Sequence, residues 1–155
     1  MLTVALFEPE IPPNTGNIIR LAANTGACLA LIEPLGFELT DGRLRRAGLD
    51  YRALATTTVY PDFESFLSTI GQRRLLAFST RGIRRYDTVR YREDDVLLFG
   101  PETRGLPDRI LNALPCDRRL RIPMHRHPQA RAPSLNLGNA VSIALYEAWR
   151  QLDFS

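Results

Sequence analysis

Lysine is absent: all 20 basic residues of this 155-residue chain are arginines. That removes Schiff-base lysines, the phosphate-gripping lysine of a P-loop and lysine acid–base chemistry from consideration. Codon bias is a simpler cause than selection for guanidinium, and either way the cations present suit phosphate and carboxylate recognition. Cysteine is scarce. Cys28 and Cys116 cannot build a disulfide framework and lack CxxC spacing. Cys28, in an apolar stretch, reads as a small core residue. Cys116 lies upstream of His125 and His127, but no further ligand pair has zinc-like spacing, so no metal is expected. No apolar run approaches the roughly 20 residues a membrane span needs. The apolar opening through Phe7 is short, and Glu8 follows without a small-residue cleavage pattern. It reads as a buried strand and not a signal peptide, which makes the cytoplasm the expected location. Finally, no GxG, GxxxxGK or GxSxG occurs. The dinucleotide fingerprint, the P-loop and the hydrolase elbow are all missing.

What is present describes a folded α/β protein. Hydrophobic residues make up 45% and charged residues 24% of the chain, enough for one domain over residues 1–155 with a real core. Charge is unevenly spread. Residues 1–72 carry 5 arginines against 8 carboxylates, a net of −3, while residues 73–126 carry 13 against 7, a net of +6. A polyanionic partner and a solvated surface of locally paired arginines explain the middle segment equally well. Short apolar runs at residues 2–7, 28–32, 75–79, 96–100 and 120–122 read as buried parallel strands, with a weaker one at 57–60. Helical patterns alternate with them. Asn14 is expected to cap a helix that Gly26 stops, Asp62 to cap residues 63–70, and Pro107 to open residues 108–114. A last helix spans about residues 136–152. The expected fold is a mostly parallel sheet flanked by helices.

Three segments crowd polar residues and glycine where a loop meets an element. Pro12-Pro-Asn-Thr-Gly-Asn-Ile-Ile-Arg20 opens the first helix, where free N–H groups favour an anion. Asn14 and Asn17 can cap that helix or touch a ligand; Arg20, among apolar neighbours, would need a partner if buried. In Leu97-Leu-Phe-Gly-Pro-Glu-Thr-Arg-Gly-Leu-Pro107 a strand empties into a loop at the carboxyl edge of the sheet. Gly100 lets backbone approach a ligand, and Glu102 and Arg104 either orient one or form a surface pair. The third segment joins Ile122-Pro-Met124 to Ser134-Leu-Asn-Leu-Gly-Asn139, which holds more polar residues than a single helix cap requires.

Together these segments resemble the SPOUT superfamily of knotted methyltransferases, and in particular the small tRNA 2′-O-methyltransferases of the wobble nucleotide, the TrmL or YibK type. The resemblance rests on Asn14-x-Gly-Asn17-x-x-Arg20, on Phe99-Gly-Pro-Glu-Thr-Arg-Gly-Leu-Pro107, and on Ile122-Pro-Met124 with Ser134-Leu-Asn-Leu-x-Asn-Ala140. Tyr146-Glu-Ala-Trp-Arg-Gln151, Glu8 to Pro13, Ile32-Glu-Pro34 and Arg43-Leu-Arg-Arg-Ala-Gly-Leu-Asp-Tyr51 extend it over the whole chain. One departure stands out. The family usually places Arg-Ser-x-Asn after a short loop, whereas here the loop is longer and Ala132-Pro133 precedes Ser134. Arg126 and Arg131 are the two candidates for the displaced arginine.

The resemblance implies a deep trefoil knot in the C-terminal third, which base rates alone would never suggest. It implies S-adenosylmethionine held by Phe78, Gly100, Glu102, Ile122, Ser134 and Leu135, and no metal. It implies transfer of the methyl group to the ribose 2′-hydroxyl of nucleotide 34, cytidine or uridine, in tRNA. Arg20, Ser134 and Asn136 would be catalytic, with Asn14, Asn17 and Arg20 meeting the RNA. It also implies a homodimer with the first and last helices at the interface, so that Arg20 serves the partner's site. Two other readings differ in class: a catalytically inactive RNA-binding module of the same fold, and an α/β enzyme using another nucleotide.

Overall fold

A computed structural model describes residues 1–39, 56–125 and 134–155. The stretch Arg43 to Tyr51, His127, Arg126, Arg131 and the Ala132-Pro133 step lie outside the described residues. The strands are β1 (Thr3–Phe7), β2 (Cys28–Ile32), β3 (Thr57–Tyr60), β4 (Leu75–Phe78), β5 (Arg84–Arg85), β6 (Val96–Phe99) and β7 (Arg119–Arg121). Among the described residues the α-helices are α1 (Pro12–Thr25), α2 (Phe63–Ile70), α3 (Asp108–Ala113) and α4 (Leu137–Gln151). The strands form one sheet in the order β3-β2-β1-β6-β4-β7-β5, and every pairing is parallel.

Alternation of side chains along each strand divides the apolar residues between two faces. Val4, Leu6, Leu29, Leu31, Leu76, Leu97, Phe99 and Leu120 pack under Ile18, Ile19 and Ala22 of α1 and Val141, Ala144 and Leu145 of α4. Ala5, Phe7, Ala30, Ile32, Ala77 and Leu98 pack under Phe63, Phe66 and Ile70 of α2 and Ile110 and Leu111 of α3. The result is three layers, helix on sheet on helix, as expected of buried parallel strands. Each fully buried Leu, Ile or Phe contributes about 1.5–3 kcal/mol.

The helix ends show which local expectations hold. Gly26 stops α1 in a left-handed conformation, φ 73°, and the Asp62 side chain accepts from the Ser65 N–H at the start of α2. Asn136 caps α4 by accepting from the Asn139 N–H. Asn14, however, is not the cap of α1. The helix begins earlier, at Pro12, whose missing N–H suits the first turn, and Ile11 occupies the cap position without a side-chain bond. Pro107 likewise stands one place ahead of its expected position, immediately before α3.

At the opposite end of the strands from these loops, Asp95 is fully buried. Its carboxylate accepts from the Arg74 guanidinium (Nε 2.7 Å, Nη2 2.6 Å) and from the Arg92 N–H at 2.8 Å. This pins the turn before β6 to the start of β4.

Candidate active site

The loops after β1, β4, β6 and β7 converge at the carboxyl edge of the sheet. Pro12 and Pro13 leave the first turn of α1 with few N–H groups of its own, and a carboxylate from another loop meets the neighbouring donors. Glu102 accepts from the Glu10 N–H at 2.8 Å, the Ile11 N–H at 3.1 Å and the Asn14 side-chain amide at 3.2 Å. A negative charge there also complements the helix dipole. The Asn14 oxygen in turn accepts from Asn136 Nδ2 at 2.9 Å. Because Glu102 only accepts, it fixes the Asn14 amide orientation, and that leaves the Asn14 oxygen for Asn136. A single hydrogen-bonded chain therefore ties all three sequence segments together.

Reciprocal contacts close the same two loops. Glu10 accepts from the Thr103 hydroxyl at 2.7 Å and the Thr103 N–H at 3.0 Å, and Arg104 reaches Glu8 at 2.6 Å and Glu10 at 3.4 Å. The Thr103 hydroxyl bond is the main cause that holds the Glu10 carboxyl below its ordinary value. Glu102 and Arg104 thus form no pair with each other; each anchors its loop to the chain between β1 and α1. Gly105, at φ 67°, gives the loop its left-handed turn, and a Cβ on Gly100 would stand 2.3 Å from the Leu106 amide nitrogen. Arg81 donates to the Leu106 carbonyl at 2.5 Å and pairs with Asp108, which ties the loop after β4 to the same place.

Between these loops lies a cavity of about 500 Å³. Phe78, Gly100, Glu102, Ile122, Ser134 and Leu135 all line it, as do Asn14 and Asn136. Phe78 stacks on Phe99 with ring centres 4.7 Å apart, giving the floor a flat aromatic edge. Asn17 and Arg20 do not line the cavity. Both are exposed on α1, so Arg20 carries no burial cost and needs no internal partner. Sequence reasoning missed Ser79, Thr80 and Arg81, which also line the cavity. Nothing distinguishes Arg81 in the sequence from the arginines around it. Cys28, read as core, is half-buried with its sulfur 3.4 Å from that of Met1, and Cys116 is exposed. Among the described residues no three His, Cys, Asp or Glu side chains cluster to hold a metal, and no helix is long and apolar enough to cross a membrane.

Residues 1–146 match the SpoU rRNA methylase family. The chain belongs to that family. Over 154 residues this family member is 54% identical to the tRNA (cytidine(34)-2′-O)-methyltransferase of Escherichia coli K12, covering 99% of this chain and 96% of that one. It is also 54% identical to the enzyme of the same name from Aeromonas hydrophila, covering 100% and 97%. Among solved structures, one described as giving insight into 2′-OH methylation of C/U34 on tRNA superposes with a TM-score of 0.89 at 46% identity, over 100% of this chain and 98% of the other. An AdoMet-bound rRNA methyltransferase from Sinorhizobium meliloti superposes with a TM-score of 0.83 at 30% identity, over 97% of this SpoU-family chain and 56% of that one.

Proposed function

We propose that this chain transfers a methyl group from S-adenosylmethionine to the ribose 2′-hydroxyl of nucleotide 34, cytidine or uridine, in tRNA, as one domain over residues 1–155. The observation that carries this reading is the convergence of Phe78, Gly100, Glu102, Ile122, Ser134 and Leu135 on one cavity. The relatives named for cytidine-34 methylation support the substrate, since they match the chain nearly end to end. No observation favours the inactive binding module or an enzyme of another nucleotide.

The cavity suits the cofactor. Its volume falls within the roughly 300–1,000 Å³ of small-molecule sites, with apolar walls and a few convergent polar groups. Phe78, Ile122 and Leu135 offer flat or apolar surface to a base; Ser134 and the loop backbone at Gly100 offer polar partners. When bound, S-adenosylmethionine supplies a methyl group on a sulfonium, which needs no Lewis acid, so no metal is given a role. The chain's own part is positioning. Glu102 acts through Asn14 to hold Asn136 at the cavity, and Ser134 and Asn136 shape the place of the ribose hydroxyl. As the 2′-oxygen takes the methyl group, with S-adenosylhomocysteine as the leaving group, the hydroxyl proton passes to solvent water. Arginine resists deprotonation, so Arg20 polarises the 2′-hydroxyl or clamps the adjacent phosphate.

Arg20 lies outside its own cavity, and the proposal therefore includes a homodimer in which Arg20 and Asn17 of one protomer serve the other's site. Exposed Ile143, Tyr146 and Phe154 on and after α4 support this, beside α1 on the same face. The C-terminal third is taken to form a trefoil knot. In support, β7 lies between β4 and β5, and Ser79 and Ile83 donate to the Leu120 and Arg119 carbonyls. Gly82 passes so close to Leu120 that a Cβ has no room. Such an enzyme works in the cytoplasm, where tRNA is.

Methyl-labelled cofactor with tRNA lacking 2′-O-methyl groups tests the activity: label entering the RNA is expected, and cofactor binding without labelling would move the binding-module reading ahead. Arg20→Lys tests the role of the guanidinium. Turnover is expected to collapse, and near-normal turnover would exclude bidentate chemistry there.

A further inference from the structure

The sequence segment of net +6 builds β4, β5, β6 and β7, and the segment of net −3 builds β1, β2 and β3. Since the sheet runs β3-β2-β1-β6-β4-β7-β5, the basic segment supplies one whole edge. At that edge β5 pairs with β7 so that Arg84 stands opposite Leu120 and Arg85 opposite Arg121. Leu120 is buried beneath the layer of α1 and α4, so alternation sends Arg85 and Arg121 together to the other face. The backbones carrying them are about 4.8 Å apart, the ordinary spacing of neighbouring strands.

These two arginines differ from others nearby. Arg84 is consumed locally by the Thr88 carbonyl at 2.5 Å, and Arg119 by the Leu114 carbonyl at 2.8 Å. Arg121 is exposed and has no hydrogen-bond or ion-pair partner among the described residues. Arg85 is 55% exposed and pairs only with Asp87, itself 35% exposed. A surface pair of that kind contributes little and yields readily to a stronger anion. Ile122, next in sequence to Arg121, lines the cavity from the α1 and α4 face, so the pair stands at the same carboxyl end of the strands, on the opposite face. Two guanidinium groups on one face, at the end of the sheet where the cavity opens, match successive phosphates of a nucleic-acid backbone.

We infer that Arg85 and Arg121 form a phosphate clamp on the open β5 edge that holds the tRNA backbone flanking the target nucleotide. This rests on the tRNA methyltransferase reading. The clamp fixes register and carries no base specificity. It places the anticodon arm along the β5 edge and away from β3.

The test compares two double variants of the full-length protein. Arg85→Gln with Arg121→Gln removes the clamp; Arg90→Gln with Arg92→Gln removes equal charge from exposed arginines at the other end of the strands. The clamp variant is expected to raise KM for tRNA roughly tenfold, with affinity for S-adenosylmethionine unchanged. The slope of log affinity for tRNA against log salt should become shallower by about 1.5–2. The control variant is expected to keep its KM within about twofold, as for phosphates it does not touch. Equal losses in both variants would overturn the clamp in favour of net charge. An unchanged KM and salt slope in the clamp variant, with wild type active, would assign the two arginines to guarding an open sheet edge. If wild type methylates no tRNA, the underlying reading fails and the clamp with it.

Discussion

At the scale of single residues, Glu102 governs more of the site than any other group that lines it. It satisfies two backbone N–H groups ahead of α1 and orients Asn14, which in turn orients Asn136. Replacing it with Ala leaves those donors without their charged acceptor, at a cost of about 1–3 kcal/mol. We predict that Glu102→Ala lowers the unfolding free energy by that amount, with a lower denaturation midpoint, and weakens cofactor binding. An unchanged midpoint would mean that water replaces the carboxylate without loss. Glu10 gives a pH-dependent counterpart. Its folded pKa lies below the ordinary value of 4.5, chiefly through the Thr103 hydroxyl bond. A depressed carboxyl contributes stability above its unfolded pKa, and that contribution disappears as pH falls through the folded value. The stability difference between wild type and Glu10→Gln should therefore be constant near neutrality and shrink below pH 4.5. A difference that stayed flat into acid would contradict the assignment.

At the scale of elements, the sheet was legible because buried parallel strands are short apolar runs, and their ends differ from expectation by one residue or so. β5 was not. Arg84 and Arg85 carry no apolar pattern; they become a strand because the Ile83 N–H donates to the Arg119 carbonyl and lays the segment along β7. Asn14 was misplaced for a related reason. Capping rules consider neighbours in sequence, whereas the acceptor at the start of α1 comes from Glu102, 91 residues away from Ile11. The motif residues were legible as polar clusters at loop–element junctions, but their convergence on one cavity depends on tertiary contacts. The Arg74–Asp95 pair belongs to this scale too, since it joins the entrances of β4 and β6. Asp95→Ala would leave the Arg74 guanidinium with the Arg90 carbonyl but no carboxylate, and a loss of about 3–5 kcal/mol is predicted by denaturant titration. A loss below about 1 kcal/mol would show that Arg74 finds solvent instead.

For the whole molecule, two asymmetries organise the account. The apolar layer of α1 and α4 keeps exposed Tyr146 and Phe154, with Trp149 packed edge-on between them at 5.6 and 5.1 Å. Under the dimer proposal this surface is covered by a second copy, and Tyr146→Arg is predicted to produce monomers in sedimentation experiments with turnover lost. Fully active monomers would place Arg20 in its own protomer's site, and retained dimers would remove Tyr146 from the interface. The second asymmetry is the basic β5 edge, at the opposite end of the strand order from β3. Neither was readable from local pattern: a charge count located the arginines in sequence, and only the strand order gathered them on one edge.

The most direct test of the central claim is to digest tRNA methylated by this protein and locate the new methyl group by mass spectrometry. The account predicts a single added methyl on the ribose of nucleotide 34. A methyl group on a base, or on a ribose elsewhere in the tRNA, would contradict it.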